Sequence, residues 1–556
     1  MVTYEVLSRL LADQNLARAH PEDESRTWAR LGTMLVQHRL ASEEQIAEAL
    51  GELLGLEVVD PAHIPIDPEF ARRLPRAVAA RDQVLLLGEG PHGLRVIAAD
   101  PTDVLALDDV RQYTANRRLD VSIATPGQLH ALLDRVWLLD QITGVVSAGP
   151  DPAADGPEEG VEPETAVSEA PTVRLLDTVL ADAVRSRASD VHIEHLESFV
   201  RVRYRVDGMM RDVLSVPKPI GRMLTARVKV VGGMDIAQRR VPQDGRLTLT
   251  IDGTRVDARL SSLPSVHGEK VVIRLLPGAT SLQSLDDLGL DQAQRAALSR
   301  ALDMSQGLVL ITGPTGSGKT NTLYAAVQAT MTPERNVVTL EDPVEIELPG
   351  ITQVPVDDKT GMTFARGLRA LLRQDPDVVL VGEVRDTETA ELAMRAAMTG
   401  HLVLTTLHTN DAVAALPRLV DMGVEPYLVA SSLTLVVAQR LVRKPCPDCA
   451  RPYEPDAATL LALGLEQHDL VGAAPVKGVG CTWCSDSGYL GRRGLFEVLE
   501  VTTELRRSLL SGADEAIVSD LARQQGFVPL REAGLALAAR GETTYEEVLR
   551  ATRAMI

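Results

Sequence analysis

The stretch that decides the fold is GPTGSGKTNT, residues 313–322, which follows the apolar run GLVLIT at 307–312. It satisfies the pattern G-x-x-x-x-G-K-[ST], with a strand predicted before it and a helix after it. In such a loop the glycines let backbone N–H groups surround a phosphate, and the helix N-terminus adds positive potential. The residues predicted to bind nucleotide are Gly313, Pro314, Thr315, Gly316, Ser317, Gly318, Lys319 and Thr320.

The last two residues of this loop have specific expected roles. Lys319 is expected to reach the β- and γ-phosphates of ATP, and Thr320 is expected to ligate Mg²⁺. A chance glycine-rich turn is the competing interpretation. The apolar strand before the loop and the helix formers after it favour nucleotide binding.

Two clusters of acids follow apolar strands in the same region. DVVLVGEVRD at 377–386 supplies Glu383, and Gly382 occupies the position where many P-loop enzymes have Asp. LEDPVE at 340–345 supplies the second cluster. Its acids are Glu341, Asp342 and Glu345. Because ligands of α/β sheets bind at the carboxyl ends of the strands, the pattern favours catalytic roles for both clusters.

Two histidines flank another apolar strand, in TGHLVLTTLHTNDA at 399–412. Such a histidine is a candidate for sensing the γ-phosphate, and it is equally well explained as a polar group with a structural partner. The spacing alone leaves His401 and His408 open between these two roles.

The cysteines of the chain occur as two CxxC pairs, CPDC and CTWC. Each pair lets two thiolates converge from one turn, and four thiolates are the set that tetrahedral Zn²⁺ prefers. The alternative is two buried or redox-active pairs. The predicted zinc ligands are Cys446, Cys449, Cys481 and Cys484, in a module spanning about 444–487.

The pattern of apolar runs predicts an α/β domain over 284–556 that ends in a helical tail. The runs GLVLIT, NVVTL, DVVLV and HLVLTTL alternate with helical segments, as in a sheet covered by helices on both faces. In the tail, residues 543–555 begin with capping-box spacing. Upstream, an α+β domain is predicted at 172–283, with a hairpin at 246–261.

A small α/β unit is predicted at 1–140. Ser42 with Gln45 and Thr125 with Gln128 have capping-box spacing, and residues 83–100 predict a pair of strands. The stretch 141–171 is rich in Pro, Gly, Ala and acids and has no Lys or Arg, which predicts a flexible acidic linker.

Charge and hydropathy argue against nucleic-acid binding and against a membrane-spanning segment. The chain has 556 residues and a net charge of −20, which argues against nucleic-acid binding because such affinity comes mainly from Lys and Arg. The run LVASSLTLVVA at 428–438 is too short to span a bilayer, and the N-terminus lacks the regions of a secretory signal. A cytoplasmic chain, peripheral at a membrane, is the expectation.

Taken in order, these segments resemble the secretion ATPase superfamily, and within it the type II secretion and type IV pilus assembly ATPases, the GspE/PilB family. The resemblance covers roughly residue 172 to the end. It rests on a Walker A loop at 313–320, an aspartate box around 341–345, a Walker B segment ending at Glu383, a histidine box at 399–411, RRVPQDGR at 239–246 and LPSVHGEKVVIRLL at 263–276.

The resemblance implies a RecA-like ATPase core that works as a cytoplasmic hexamer with ATP and Mg²⁺. It implies catalytic roles for Glu383, Glu341, Glu345 and His408. It also implies an inner-membrane platform protein and a docking protein at the cytoplasmic face as partners. Arginines of the preceding domain are implied to reach the nucleotide. The positions that match them are Arg259 and Arg274, with Arg369, Arg373 and Arg385 as further arginines near the site.

The N-terminal unit carries a weaker resemblance. Residues 30–50 resemble half of a motif that binds cyclic di-GMP in some relatives, but the usual Gly is absent at His38-Arg39 and no second copy is present. Docking to a membrane partner is therefore predicted in preference to cyclic di-GMP binding.

Alternative functions stay open at this point. They are a pilus retraction motor, a conjugation-type or DNA-translocating P-loop ATPase, and a scaffold that binds nucleotide without turnover. Lys319, Thr320 and Glu383 argue against the scaffold, and the net acidity and scarce aromatics argue against DNA. Type II secretion and pilus extension are not separated by the sequence.

Overall fold

The computed structural model divides into two compact units, one of residues 1–253 with 258–275 and one of 254–257 with 276–556. The predicted linker falls outside the described residues, except that 170 and 171 begin a helix. The structure describes residues 42–59, 68–90, 93–130, 132–133, 136–137, 170–251, 254–276, 282–481, 484 and 487–553.

The N-terminal part of the first unit is a small α/β fold with a three-stranded sheet in the order β1-β2-β3. Strands β1 and β2 are antiparallel, as predicted for residues 83–100, and β3 lies parallel to β2. Both predicted capping boxes are confirmed, at Ser42–Gln45 and at Thr125–Gln128. The strands are Val84–Gly90, Gly93–Ala98 and Leu119–Ile123, and the helices are Glu43–Leu54, Pro68–Ala71, Arg76–Asp82 and Val104–Tyr113.

The rest of the first unit is an α+β fold with a six-stranded sheet in the order β6-β5-β4-β9-β8-β7. Strand β5 alternates buried and half-buried residues, as its sequence predicts, and the chain then turns through Asp207 and Gly208 at positive φ. The strands β4 to β9 are Ala188–His195, Phe199–Val206, Met209–Pro217, Gln243–Ile251, Thr254–Ser265 and Gly268–Leu276, and the helices are Ala170–Arg185 and Lys218–Val231. The turn of the predicted 246–261 hairpin lies outside the described residues.

The second unit contains a seven-stranded sheet in the order β12-β11-β13-β14-β10-β15-β18, parallel except for the edge pair β15–β18. Alternate residues of β10 enter two different apolar cores: Leu308 and Leu310 lie in one, and Val309 and Ile311 lie in the other. The sheet is therefore buried on both faces, as predicted. Strands β10 to β15 are Gly307–Thr312, Val337–Glu341, Thr352–Pro355, Val378–Val381, Leu402–Leu407 and Leu433–Pro445, and β18 is Tyr489–Glu500.

Helices cover this sheet, and a helical tail follows it. The helices around the sheet are Gln292–Leu302, Lys319–Thr330, Phe364–Leu371, Thr387–Met398, Ala415–Asp421 and Pro426–Ser432, with a 3-10 turn at Asp358–Thr360. The tail helices are Thr503–Leu510, Glu515–Gln524, Leu530–Ala539 and Tyr545–Thr552. In the described part of the chain, no helix is both long and apolar enough to cross a membrane.

The cysteine-containing segment is an insertion between β15 and β18. It contains a small antiparallel pair, β16 (Ala450–Pro452) with β17 (Val476–Gly478), the helix Ala457–Leu463 and a 3-10 turn at Gln467–Leu470. Strand β18 then returns the chain to the large sheet.

The capping box predicted at the start of 543–555 is only half correct: Thr544 is the N-cap, but the reciprocal bond is missing. The Thr544 hydroxyl does accept the N–H of Glu547. The Glu547 side chain, however, turns away and accepts the Arg443 backbone N–H and bonds from the Arg443 and Arg550 guanidinium groups. Two cations and a buried N–H outcompete the single N–H that a capping box offers, because bonds between charged groups are the stronger ones.

Candidate functional site

The loop Gly313–Gly318 joins the carboxyl end of β10 to the helix Lys319–Thr330, in the predicted strand–loop–helix arrangement. Gly318 has φ 91° and forms the N-cap of the helix. A Cβ at Gly313 would lie 2.5 Å from the Gln439 carbonyl oxygen, and Gly316 has φ 80°. Glycine is therefore required at these positions by backbone conformation and close approach. The resulting loop has the form of a phosphate cradle.

The Lys319 ammonium lies folded back on this loop. Its Nζ donates to the carbonyl oxygens of Gly313 at 2.6 Å and Pro314 at 3.2 Å. Burial lowers the pKa of Lys319 to about 8; Glu383 opposes the shift and Arg440 adds to it. The lysine thus remains mainly charged at neutral pH while its closest partners are neutral carbonyl groups, which an anionic phosphate oxygen would replace favourably.

Two hydroxyl groups complete the loop. Ser317 is 4% exposed, and its Oγ has no hydrogen-bond partner among the described residues. Thr320 is exposed in the first turn of the helix. A buried orphan hydroxyl and an exposed hydroxyl beside a helix N-terminus fit a loop that binds a phosphate and a Mg²⁺ ion.

Glu383, His408 and Arg385 meet beside Lys319. The His408 Nδ1 lies 3.4 Å from Lys319 Nζ, and its Nε2 lies 3.5 Å from Glu383 Oε2. Arg385 bonds Glu383 Oε1 at 2.5 Å and reaches Asp342 Oδ2 at 3.1 Å. The structure therefore brings residues from the Walker A, Walker B, aspartate-box and histidine-box segments into one cluster at the carboxyl ends of neighbouring strands.

Gly382 leaves little room for the acid that many P-loop enzymes carry at its position. A Cβ there would lie 3.3 Å from the Leu340 carbonyl oxygen and 3.4 Å from the Glu341 Cα. Its N–H donates to the Leu340 carbonyl oxygen at 2.8 Å. A side chain on residue 382 would therefore press on the backbone of β11, and Asp342 on the loop after β11 is the acid linked by Arg385 to Glu383.

Glu341 occupies a closed environment. It is 4% exposed, and it accepts hydrogen bonds from Tyr324 Oη at 2.5 Å, Thr339 Oγ1 at 2.6 Å and Gln353 Nε2 at 3.0 Å. Burial and the Glu341 carboxylate both raise the pKa of Tyr324. Three donors leave the Glu341 carboxylate anchored within the sheet, and its catalytic role stays a prediction. Glu345 is half-buried nearby, and its backbone N–H donates to Tyr324 Oη at 3.2 Å.

The two histidines lie in different environments. His401 lies at the opposite end of β14 from His408, and its Nδ1 is 3.0 Å from the Ala396 carbonyl oxygen at the end of a helix. His401 therefore fits the structural role that the sequence left open for it. Of the two histidines, only His408 belongs to the cluster with Lys319 and Glu383. Of the other predicted arginines, Arg369 pairs with Glu388, and Arg373 donates to the Arg369 carbonyl oxygen at 2.8 Å.

The arginines predicted to reach the nucleotide lie on the six-stranded sheet. Arg259 is half-buried on β8. Arg274 on β9 is 61% exposed, and its Nε donates to Asp190 Oδ1 at 2.9 Å. Asp190 is itself 5% exposed and also accepts from Ser189 Oγ at 2.7 Å. The geometry thus supplies a partner for Arg274 that the sequence motifs did not identify; the roles of both arginines stay predictions.

Two further residues border the loop without belonging to a recognised motif. Gln439 accepts a bond from Thr322 Oγ1 at 2.8 Å, and its backbone carbonyl oxygen faces Gly313. Arg440 donates to the Asn410 carbonyl oxygen at 2.8 Å. The available signal was a Gln-Arg pair directly after the apolar run 435–438 of strand β15.

The four cysteines form a compact cluster. Their ligand atoms all lie within 4.8 Å of one another, with Sγ–Sγ distances of 3.7 Å for 446–481, 3.8 Å for 449–484 and 3.6 Å for 481–484. A tetrahedral zinc ion with Zn–S bonds of about 2.3 Å requires Sγ–Sγ distances of about 3.8 Å. The donor set and its spacing therefore fit one four-thiolate metal ion with no open coordination position.

The fold and the loop define this protein as a P-loop nucleoside triphosphatase. Residues 165–550 match the family "Type II/IV secretion system protein", and residues 54–138 match the MshEN domain. The chain belongs to the type II/IV secretion system protein family and is one of its ATPases. The α/β fold class and the family resemblance seen in the sequence are thereby confirmed.

Relatives in this family carry two kinds of name. Type IV pilus assembly ATPase PilB of Thermus thermophilus is 40% identical over 538 residues, which cover 95% of this chain and 60% of that protein. PilB of Myxococcus xanthus is 37% identical, with 98% and 97% covered. Putative type II secretion system protein E of Escherichia coli is 46% identical over 391 residues, with 70% and 78% covered.

Solved structures agree on the fold. The ATPase DotB of Legionella pneumophila superimposes with a TM-score of 0.53 at 22% identity, covering 68% of this chain and 96% of that one. DotB of Yersinia pseudotuberculosis gives a TM-score of 0.51 at 21% identity, covering 68% and 93%.

Proposed function

We propose that this chain is a Mg²⁺-dependent ATPase motor that drives assembly of a type IV pilus or a type II secretion pseudopilus. In this proposal it works as a homo-hexamer at the cytoplasmic face of the inner membrane. Its proposed partners are a platform protein of the inner membrane and a docking protein at the cytoplasmic face. The observation that carries the proposal is the cluster of Lys319, Glu383 and His408 at the end of a P-loop sheet.

The nucleotide-binding role belongs to the loop and its helix. Backbone N–H groups of residues 315–318 would hold the β-phosphate, and Lys319 would exchange its carbonyl partners for phosphate oxygens. Thr320 would ligate Mg²⁺, which when bound offsets the charge of the phosphates. His408 lies next to Lys319 and is placed to detect its movement towards the γ-phosphate.

Glu383 is the proposed catalytic acid. Its two oxygens face different partners, Arg385 and His408, so that the carboxylate is fixed in direction beside the phosphate loop. A carboxylate held in this way can orient and deprotonate the attacking water. Glu341 and Glu345 are proposed to support the site through Tyr324.

Two further groups have proposed roles, the first from the family resemblance and the second from the CxxC spacing. Arg259 and Arg274 are proposed to supply positive charge to the triphosphate from the six-stranded domain, which would make turnover depend on domain movement. Cys446, Cys449, Cys481 and Cys484 are proposed to hold a structural Zn²⁺ ion.

Mg²⁺-dependent ATP hydrolysis by Glu383→Gln tests the proposal. The rate constant kcat should fall at least about 100-fold, because the water loses its base, while the Kd for ATP stays nearly unchanged. The matched control is Glu391→Gln, which changes a half-buried acid paired with Arg395 in a helix of the same unit and should turn over like the wild type. Nucleic acid should not stimulate the wild type, and a Glu383→Gln enzyme at full rate would refute the assignment.

A further inference from the structure

Glu497 is a buried acid that joins two separate elements of the second unit. It lies on β18, is 2% exposed, and accepts the backbone N–H of Ala412 with one oxygen. Its other oxygen accepts the backbone N–H of Leu530 at 2.8 Å. Leu530 begins the tail helix Leu530–Ala539, whose first N–H groups have no partner within the helix.

The first of these elements, the loop His408–Ala412, begins at the nucleotide site. His408 contacts Lys319, as described above. The N–H of Thr409 donates to Thr312 Oγ1 at 2.9 Å, and Thr312 is the last residue of β10 before the phosphate loop. The five residues 408–412 therefore connect the His408 side chain, which faces Lys319, to the Ala412 N–H, which Glu497 accepts.

The second element, the start of the tail helix, borders a cavity. A cavity of about 610 Å³ lies between this loop and the tail helices, and Glu497 and Asp411 line it from one side. Phe527 and Arg531 line it from the other side, and Arg531 Nη2 has no hydrogen-bond partner among the described residues. The Leu530 side chain at the start of the tail helix is buried in the apolar core beside β18, and Glu497 is a polar link from this start to the loop.

The chemistry of Glu497 supports a purpose beyond packing. Burial raises the pKa of Glu497 to about 7; the N–H groups of Ala412 and Leu530 oppose the rise, Asp411 adds to it and Arg440 opposes it. A buried carboxylate costs free energy that an apolar side chain would not. What an apolar side chain cannot do is accept two N–H groups from different elements.

We propose that Glu497 is a positioning residue that transmits the state of the nucleotide site from the His408–Ala412 loop to the tail helix beginning at Leu530. The proposal rests on the proposed nucleotide site. Since both N–H groups bond to one rigid carboxylate, a displacement of Ala412 on nucleotide binding changes the bond to Leu530 as well.

Hydrogen exchange of the full chain, measured by mass spectrometry with and without Mg²⁺ and a non-hydrolysable ATP analogue, tests this. In the wild type, peptides covering 313–320, 408–414 and 527–532 should all change exchange on nucleotide addition. In Glu497→Gln the first two should still respond and the response at 527–532 should be lost. The reason is that the Gln amide nitrogen faces one of the two N–H donors and cannot accept from it.

The matched control is Glu500→Gln on the same strand, which changes an exposed acid paired with Arg300 and should keep all three responses. If Glu497→Gln does not fold, Glu497→Asp retains the charge but is too short to reach both donors, and it should lose the same response. A wild type without protection at 313–320 would overturn the nucleotide site and the coupling together. Protection at 313–320 without a response at 527–532, or an equal response in the variants, would overturn the coupling alone.

Discussion

The phosphate loop and the cysteine cluster are both candidate ligand sites, and their geometry differs in one respect. At the phosphate loop, Lys319 bonds to its own loop and the Ser317 hydroxyl has no described partner. At the cysteine cluster, three of the Sγ–Sγ distances, 3.6, 3.7 and 3.8 Å, already match those of a tetrahedral metal site. A site that must exchange its ligand at every turnover has groups that rearrange, whereas a site that retains its ligand is formed in advance.

The largest effect is expected at the phosphate loop, which must exchange its ligand. Lys319→Ala should raise the Kd for ATP about 100-fold or more, because a charged hydrogen bond to phosphate is lost from a partly buried site. Fluorescence titration with labelled ATP measures this. Lys359→Ala changes an exposed lysine of the same unit and is the control. Zinc content should be unaffected, and unchanged ATP affinity in Lys319→Ala would remove the contrast between the sites.

The second prediction concerns the cysteine cluster, which is expected to retain its metal ion. Cys446→Ser should release zinc from a protein that otherwise contains about one ion per chain, because a structural site needs all four thiolates. Elemental analysis after gel filtration measures the content. The melting temperature of Cys446→Ser should fall, whereas its Kd for ATP should stay close to that of the wild type. Asp448→Asn is the control, since Asp448 lies 3.7 Å from the Cys446 sulfur without belonging to the cysteine set. Full zinc content in Cys446→Ser would contradict the assignment.

The region beside the cysteine cluster is also held by protein contacts. Glu547→Ala should reduce the free energy of unfolding by about 3 kcal/mol, because it leaves Arg443 without its buried carboxylate. Burial raises the pKa of Glu547, but bonds from Arg550 and Arg443 outweigh it and lower the pKa to about 2. The stabilisation is therefore present above the unfolded value of 4.5 and is lost as the pH falls through about 2.

Denaturant unfolding at several pH values checks that effect. The exposed pair Arg523–Glu532 provides the comparison, and Glu532→Ala should cost no more than about 1 kcal/mol. Equal losses in the two variants would show that burial of the Glu547 pair is unimportant.

The smallest expected effect is a difference in pH dependence between ATP binding at the phosphate loop and zinc binding at the cysteine cluster. Lys319 must be protonated to bind phosphate, and its pKa is lowered to about 8, so ATP affinity should fall about tenfold for each pH unit above that value. Zinc content should not fall over the same range, because the thiolate is the deprotonated ligand. Isothermal titration from pH 7 to pH 9.5 measures the ATP affinity. A flat profile would show that Lys319 titrates outside this range.

The sequence by itself determined the features that depend on neighbouring residues or on regular spacing. The loop Gly313–Thr320, the buried parallel strands and the CxxC pairs follow from local backbone geometry and from the periodicity of apolar side chains. The capping boxes at Ser42 and Thr125 follow for the same reason. Each of these is specified within a few residues, so that no knowledge of distant contacts was needed.

Only the tertiary structure decided which polar side chains meet. It placed His408 in the cluster and His401 at the other end of the same strand, and it anchored Glu341 on three buried donors. It also turned Glu547 from a helix cap to Arg443, and it brought Glu497 to the N–H groups of Ala412 and Leu530. These partners lie 85 residues apart in one case and 104 in another, and a carboxylate bonds to whichever donors the packed sheet and helices bring within reach.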